Sequence, residues 1–318
     1  MARKLLILLV SLVACGDRGA KEQPSSATST QNSARAPAGT SSASAAALTS
    51  NAPPTALSAA PSASAAAPTS HECPDDMVLV TGDYCPDVEQ QCLKHHEEYA
   101  HDRAKQVKAA AEGRKYKSTV SERCLEYAPS VCKSKERRKL SFCVDRYEYP
   151  NKKGELPAFL ISWTDAKKTC ESLGKRLCTE DEFNFACEGP DMLPYTYGLV
   201  RDPTKCSIDK PYIKREKKLY PYERCMKKPA CKEHLAKLDQ RVPAGSMPEC
   251  VSPFGVFDLN GNINEWVELP GKQYPDRSGL KGGWWGPVRG RCRPTVDFHK
   301  EDDYGYEEGF RCCRDVGG

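Results

Sequence analysis

The sequence predicts an α+β fold of low regular secondary structure that is rich in disulfides. Two helix patterns with clear local signals lie between residues 164 and 189, whereas the strand candidates are short and widely spaced. The long stretches between them are rich in proline, tyrosine and lysine and contain cysteines, which is typical of cross-linked loops. The chain has 318 residues, 17 of them cysteine, and its sequence shows no internal repeat.

The first fifteen residues have the pattern of a lipoprotein signal peptide. Two basic residues precede an apolar stretch of about nine residues, which is too short for a membrane-spanning helix of about 20 residues. The stretch ends in Leu12-Val13-Ala14-Cys15, which resembles a lipobox, so we expect a lipid anchor at Cys15. An ordinary signal peptide with a chance cysteine is the alternative.

Residues 16–70 are predicted to form a disordered tether. Serine, alanine, threonine and proline dominate this segment, and it has almost no large apolar side chains to bury. A flexible chain of this length reaches about 40 Å. It would hold a folded domain at 71–318 clear of a membrane surface.

The folded domain is predicted to begin with a strand at 77–80 that Gly82 closes. Residues 87–140 look like an insertion, whose polar, alanine-rich stretch 94–112 favours a solvated helix that stops at Gly113. A strand pattern returns at 142–144.

Two helices follow. Thr164 is positioned to cap a helix over 165–173, and Gly174 would end it. Thr179 and Glu182 form the T-x-x-E pattern of a capping box, which predicts a second helix.

The remainder of the chain is predicted to be mostly irregular. Residues 190–250 carry four cysteines but no clear periodicity. Short strands are expected at 256–257, 284–285 and 310–311, separated by turn signals.

Charge and cysteine content restrict the function classes. The net charge of +4 gives no footprint for nucleic acid. Export permits disulfides, and the 16 cysteines other than Cys15 allow up to eight of them. The spacing of the cysteines does not by itself determine how they pair. A metal site near Cys73, Cys85 and Cys92, with His95 and His96, is the alternative, but no pair has tight zinc-binding spacing.

Three stretches, taken in order, carry a resemblance to a known family. They are FCVDRYE at 142–148 with ISWTDA at 161–166; GKRLCTEDEF at 174–183 with CEG at 187–189; and GVFDLNGNINEW at 255–266, followed by KGGW at 281–284 and GFRC at 309–312. Their order and spacing resemble the sulfatase-modifying-factor family, to which formylglycine-generating enzymes belong, over about residues 75–315 without the insertion. The resemblance implies a C-type-lectin-like fold.

The resemblance also bears on catalysis. Enzymes of this family oxidise a sulfatase cysteine to formylglycine with oxygen and with copper held by two cysteines, ligands that suit soft Cu(I). The family frame G-G-x3-C-x4-C places Pro287 at the first cysteine position and Cys292 at the second. One copper ligand is therefore missing. Cys292 is either a reactive catalytic thiol or a structural half-cystine.

The resemblance further implies a disulfide between Cys170 and Cys312. Cys187 then needs a partner that the family does not supply, and either Cys292 or Cys313 would serve.

A structural calcium site is the second implication of the resemblance. The family's ligands correspond to the side chains of Asp258 and Glu265 and to the backbone carbonyls of Gly261 and Ile263. Carboxylate and carbonyl oxygens suit this hard cation. The alternative is a loop whose acidic residues only cap turns.

A peptide groove is the third implication. Trp284, Trp285, Arg289 and Arg291 lie in the segment that lines the groove in the enzymes, and tryptophan and arginine are frequent binding hot spots. Core tryptophans with surface arginines are the alternative.

These expectations favour a non-catalytic module that binds a protein or peptide partner in the cell envelope, facing the periplasm or cell exterior from a lipid anchor. The alternative is a divergent oxidase that converts a protein cysteine to formylglycine through Cys292, with copper. An iron-dependent oxidase needs an H-x3-H-x-E motif, which His95 and His101 do not match.

Overall fold

The computed structural model describes residues 72–118, 120–219 and 227–317. All of them belong to one of the two units into which the chain divides, Ala66–Gly318. The predicted signal peptide, the lipidation site Cys15 and the 16–70 tether lie outside the described residues. Within those residues, no helix is long and apolar enough to cross a membrane.

Short strands make up the β-structure of the domain. In chain order they are β1 (Met77–Tyr84), β2 (Val88–Glu89), β3 (Cys92–His95), β4 (Cys124–Tyr127), β5 (Val131–Cys132), β6 (Arg138–Asp145), β7 (Arg176–Leu177), β8 (Asn264–Glu268), β9 (Ser278–Lys281), β10 (Glu308–Gly309) and β11 (Cys312–Asp315). The main sheet has the order β1-β6-β11-β7 and is antiparallel throughout. A second sheet, β10-β8-β9, pairs β10 parallel and β9 antiparallel to β8.

The helices are α1 (Glu97–Ala111), α2 (Trp163–Ser172), α3 (Glu180–Glu188) and α4 (Pro229–Leu238), with a 3-10 turn at Lys217–Leu219. The predicted capping box is confirmed: Thr179 Oγ1 accepts from the Glu182 N–H, and the Glu182 carboxylate accepts from the Thr179 N–H. The predicted cap at Thr164 is wrong. Ser162 caps α2 instead, because its Oγ accepts from the Asp165 N–H while Thr164 donates to a neighbouring loop.

Four strand predictions also need correction. The first strand continues through Gly82, which stays paired with Leu140, because a residue without Cβ fits beside the ring of Phe185. Residues 284–285 are not a strand, because Gly282 and Gly283 both adopt positive φ and turn the chain away at the end of β9.

The other two predicted strands are absent as well. Residues 310–311 lie between β10 and β11, where the side chain of Arg311 turns to the buried Glu265. At 256–257, only Phe257 is paired, in an isolated bridge with Val251. Helix α4 was not predicted.

The insertion at 87–140 is a separate layer built from two small antiparallel strand pairs, β2-β5 and β3-β4, and from α1, which lies between β3 and β4 in the chain. Buried Arg123 joins it to the rest of the domain, since its guanidinium pairs with Glu98 on α1 and lies 3.6 Å from Asp209. The predicted polar helix is therefore present, and its layer packs against the loop that follows residue 200.

Seven disulfides connect the described residues: Cys73–Cys143, Cys85–Cys132, Cys92–Cys124, Cys170–Cys312, Cys178–Cys313, Cys187–Cys292 and Cys206–Cys250. Cys231 is also disulfide-bonded. Disulfides on this scale form and persist in oxidising compartments. The domain is therefore extracellular or periplasmic.

Two buried clusters fix the position of the cleft described below. Helix α2 packs Trp163 and Ala166 against Trp266 of β8 and Leu280 of β9. Helix α3 packs Phe183 against the main sheet and the loop before β8. Helix α2 is thereby held against the sheet β10-β8-β9, and Asn264 of β8 and Leu280 of β9 line the cleft.

Candidate binding cleft

A cleft of about 200 Å³ opens where β8, β9 and β10 meet the loop that follows β9. Apolar and aromatic side chains form most of its wall, and a few polar groups interrupt them. The lining residues are Ser121, Asn264, Leu280, Gly283, Trp284, Val288, Arg289, Pro294, Val296, Phe298, His299 and Glu307. Ser121 comes from the insertion, so that layer contributes directly to the site.

Close backbone packing shapes the loop over 282–296. A Cβ on Gly283 would lie 2.5 Å from the Cα of Gly290, so only glycine allows the loop to fold back on itself there. Further along, the backbones of Leu280 and Val296 exchange two hydrogen bonds of 2.9 and 3.0 Å. The loop that forms the wall of the cleft is therefore restrained at two places, by the Gly283–Gly290 contact and by the Leu280–Val296 hydrogen bonds.

The two tryptophans that follow the double glycine have different positions. Trp284 is half-buried and lines the cleft, with its ring edge-on to Tyr306 at 5.9 Å. Trp285 is fully buried in a core cluster with Leu160 and Leu235. The prediction that Trp285 lines the groove is wrong, because its indole fills the space beneath the loop.

The predicted groove arginines also differ in position. Arg289 is exposed at the cleft and makes no ion pair with any described residue. Arg291 points to the insertion, where it donates to the Tyr127 hydroxyl and lies 3.6 Å from Glu122. Arg291 is therefore a contact between layers and not a groove residue.

Glu307 is the polar group that sequence reasoning missed. Its Oε2 atom is buried and has no hydrogen-bond partner in the described structure, although the side chain lines the cleft. Burial raises the pKa of Glu307, whereas a hydrogen bond from its own backbone and the charge of Arg215 oppose this shift. A buried polar atom without a partner is unusual and requires an explanation.

A second carboxyl group and an imidazole lie next to it. Burial and the neighbouring Glu307 raise the pKa of Glu308 to about 8. His299 Nδ1 is 3.4 Å from Glu308 Oε1, and burial lowers the pKa of His299. Near neutral pH, the protonated carboxyl and the neutral imidazole therefore form an uncharged pair.

Cys292 does not carry a free thiol in this structure, which corrects the catalytic prediction. Its sulfur is bonded to Cys187, and both residues are completely buried. Of the two partners considered for Cys187, the fold uses Cys292, because Cys313 is bonded to Cys178. Cys170 pairs with Cys312, as the resemblance implied. With proline at position 287, these residues do not fit a two-thiolate copper site.

Two of the four residues expected to bind calcium, Asp258 and Glu265, lie with Glu148 in a buried cluster of carboxyl groups. Arg311 makes a bidentate ion pair with Glu265, with N–O distances of 2.6 and 2.7 Å. Asp258 Oδ2 accepts a 2.7 Å hydrogen bond from the Gly245 N–H, and burial raises the pKa of Asp258 to about 6. Burial, then Asp258 and Glu265, raise the pKa of Glu148 well above its usual range.

This cluster has three carboxyl groups against one guanidinium, and Glu148 Oε1 is buried without a partner in the described structure. An orphaned carboxylate oxygen among acidic neighbours suits a hard cation. Among the described residues, no three His, Cys, Asp or Glu side chains are arranged as a metal-binding group. A calcium ion here would therefore depend on the backbone carbonyls of Gly261 and Ile263 as well as on side chains.

Comparison with known proteins agrees with this architecture. The family described as "Sulfatase-modifying factor enzyme 1-like domain" matches residues 71–316. The chain belongs to the sulfatase-modifying-factor family. The predicted α+β, C-type-lectin-like fold of that family, with low regular secondary structure and many disulfides, is confirmed.

Curated relatives include "Inactive C-alpha-formylglycine-generating enzyme 2" from Bos taurus and from Mus musculus. Each is 27% identical over 51% of this chain. The alignments cover 52% and 50% of those relatives, so the chain spans about half the length of the curated relatives it matches.

Similar solved structures include PvdO from Pseudomonas aeruginosa, at 18% identity with a TM-score of 0.40, covering 56% of this chain and 84% of PvdO. CarF is 14% identical with a TM-score of 0.47, over 76% of this chain and 99% of CarF.

The sulfatase-modifying-factor motifs located the cleft but not its full lining. Trp284 and Arg289 were found from the double glycine of the family motif. Glu307 lies two residues before the GFRC motif, and that proximity was the available signal. Phe298 and Ser121 carry no local signal, since each reaches the cleft only through the fold.

Proposed function

We propose that this member of the family is a non-catalytic module that binds an extended peptide or protein segment in the cleft. The observation that carries the proposal is the state of Cys292, which is bonded to Cys187 in the core. An oxidase that uses a protein thiolate needs that sulfur free, and Pro287 supplies no second thiol. The name of these relatives, inactive formylglycine-generating enzyme, supports the same non-catalytic role.

The lining of the cleft supports binding of a peptide. Trp284 and Phe298 offer aromatic surface, and Phe298 is 69% exposed. Arg289, which makes no ion pair with another described residue, brings a guanidinium to the same opening. Aromatic residues and arginine are enriched among residues that dominate binding energy.

The sequence supports a place for this module in the cell envelope. Lipidation at Cys15 would anchor the chain to a membrane, and the 16–70 segment would act as a tether between anchor and domain. The partner would then be a protein or peptide outside the cytoplasm. The near-neutral net charge of the chain makes nucleic acid an unsuitable partner.

Calcium is part of this proposal as a structural ion. Asp258, Glu265 and the carbonyls of Gly261 and Ile263 would hold it, next to the unpartnered oxygen of Glu148. The ion would offset the excess negative charge of the cluster and stiffen the turn before β8. No chemical step depends on it.

Selection from a displayed library of random heptapeptides tests the proposed function. Enriched peptides are expected to bind the full chain, and Phe298→Ala is expected to weaken binding about tenfold, since about 1.4 kcal/mol corresponds to a factor of ten. Tyr274→Ala is the matched control, because Tyr274 is 68% exposed but lies outside the cleft. The proposal fails if no peptide is enriched, or if both substitutions weaken binding equally.

A further inference from the structure

The unpartnered carboxylate oxygen of Glu307 identifies what the cleft can recognise. The backbone of Glu307 is fixed, because its carbonyl accepts a 2.8 Å hydrogen bond from the Asn264 N–H at the start of β8. Its Oε2 atom is buried in the wall of the cleft, and no other described residue donates a hydrogen bond to it. A fixed, buried acceptor that the fold leaves unpaired is available to a donor on a ligand.

The charged groups near Glu307 do not neutralise it by contact. Arg215 acts on its carboxyl group electrostatically but does not donate a hydrogen bond to its Oε2. Glu308 and His299 pair with each other, with 3.4 Å between Oε1 and Nδ1, and neither donates a hydrogen bond to Glu307 Oε2. The inner wall of the cleft therefore carries a hydrogen-bond acceptor for which no neighbouring described residue supplies a donor.

The rest of the wall suits an aliphatic stem. Leu280, Val288 and Val296 line the cleft together with the rings of Trp284 and Phe298. Lysine and arginine carry their charge at the end of a long apolar stem, which packs well along such surfaces. Aromatic faces add a favourable interaction with the cationic group.

We infer that the cleft seats a cationic side chain, lysine or arginine, of a bound peptide, with its charged end hydrogen-bonded to Glu307 and its stem along the apolar wall. This inference rests on the proposed peptide-binding function. An acidic side chain would be repelled by Glu307, and an apolar one would leave Oε2 without a donor. Exposed Arg289 repels further positive charge, so the cleft prefers an isolated cationic residue to a basic run.

Four blocked heptapeptides that differ only at the central residue test the inference. Each has alanine on both sides of a central lysine, arginine, norleucine or glutamate, and binding to the full chain is followed by titration calorimetry. Lysine and arginine peptides are expected to bind about tenfold tighter than norleucine, and glutamate weakest. Norleucine keeps the stem and removes only the charge.

Two variants locate the effect. Glu307→Gln is expected to reduce the preference for lysine over norleucine to about twofold or less. Asp297→Asn, which removes an exposed negative charge from outside the cleft lining, is expected to keep the preference. The thermal midpoint of Glu307→Gln should equal or exceed that of the wild type, because the variant removes a buried carboxyl group without a donor.

The outcomes separate the two levels of the proposal. If norleucine binds as tightly as lysine, or if Asp297→Asn removes the preference as fully as Glu307→Gln, the cationic seat is wrong while peptide binding survives. If none of the four peptides binds and the library selection also yields nothing, the proposed function is wrong as well.

Discussion

Replacing both Cys187 and Cys292 with alanine is expected to lower the free energy of unfolding by about 3.5 kcal/mol. The two residues are 105 positions apart, but Cys178–Cys313 already holds the neighbouring segments together. The shortest loop that Cys187–Cys292 closes runs through Cys178–Cys313 and has about 30 residues. The chain entropy of a loop of this length gives the stated value. The two side chains are completely buried, so the cavity left by the lost sulfurs adds to the effect.

Urea unfolding of the full chain, followed by tryptophan fluorescence, measures this loss. The matched control removes Cys85–Cys132 at the base of the insertion, which closes a loop of about 15 residues through Cys92–Cys124 and so contributes about 3 kcal/mol, a similar amount of stability. Peptide binding distinguishes the two variants. The Cys187/Cys292 variant should bind peptide more weakly, because its cleft loop loses a restraint, whereas the insertion variant should bind as the wild type does.

A loss of less than about 1 kcal/mol on removal of Cys187–Cys292 would contradict this prediction, since other contacts would then hold the cleft loop. Labelling with a maleimide under denaturing, non-reducing conditions provides an independent check. The wild-type chain should show no labelled Cys292. A labelled Cys292 in freshly purified protein would restore the interpretation of this residue as a reactive thiol.

Three further results are expected. Calcium should raise the thermal midpoint of the wild type, and Asp258→Asn should abolish that gain; an equal gain in the variant would contradict the site. Because burial raises the pKa of Glu308 to about 8, the native state holds its proton longer than the unfolded state, so stability should fall between about pH 4 and pH 8. Glu308→Gln should flatten that decline in urea unfolding at several pH values, by on the order of 5 kcal/mol across the range. Arg311→Met should cost about 3–5 kcal/mol in the same assay, because Glu265 loses its buried partner; a loss near zero would show that water reaches the pair.

Local signals predicted parts of the fold that depend on neighbours in sequence. The capping box at Thr179 was recognised because donor and acceptor are three residues apart. The cap of α2 was misplaced by two residues, because the Thr164 hydroxyl is used by a loop 137 residues away. Strands β8 and β9 were not predicted as such, since their buried positions give near-continuous runs without a period of two.

The candidate site was predictable where a family motif passes through it and not elsewhere. The double glycine placed Trp284 correctly, but the same motif gave no indication that Trp285 turns into the core. Spacing left two partners open for Cys187, and only the pairing of Cys313 with Cys178 decides between them. Glu307 owes its unpaired oxygen to the surrounding wall, which no single segment contains.

The disulfide that occupies the sulfur of Cys292 also restrains the wall of the cleft. Cys292 is fixed by its disulfide and by a 2.9 Å hydrogen bond from its N–H to the carbonyl of Pro194. The Trp285 carbonyl accepts another bond, of 2.8 Å, from the Lys210 N–H. A catalytic loop must leave its sulfur accessible to substrate and oxygen, whereas a binding wall gains affinity when it is held in place before the ligand arrives. The restraints on the segment 282–296 therefore favour recognition of a ligand over oxidation of one.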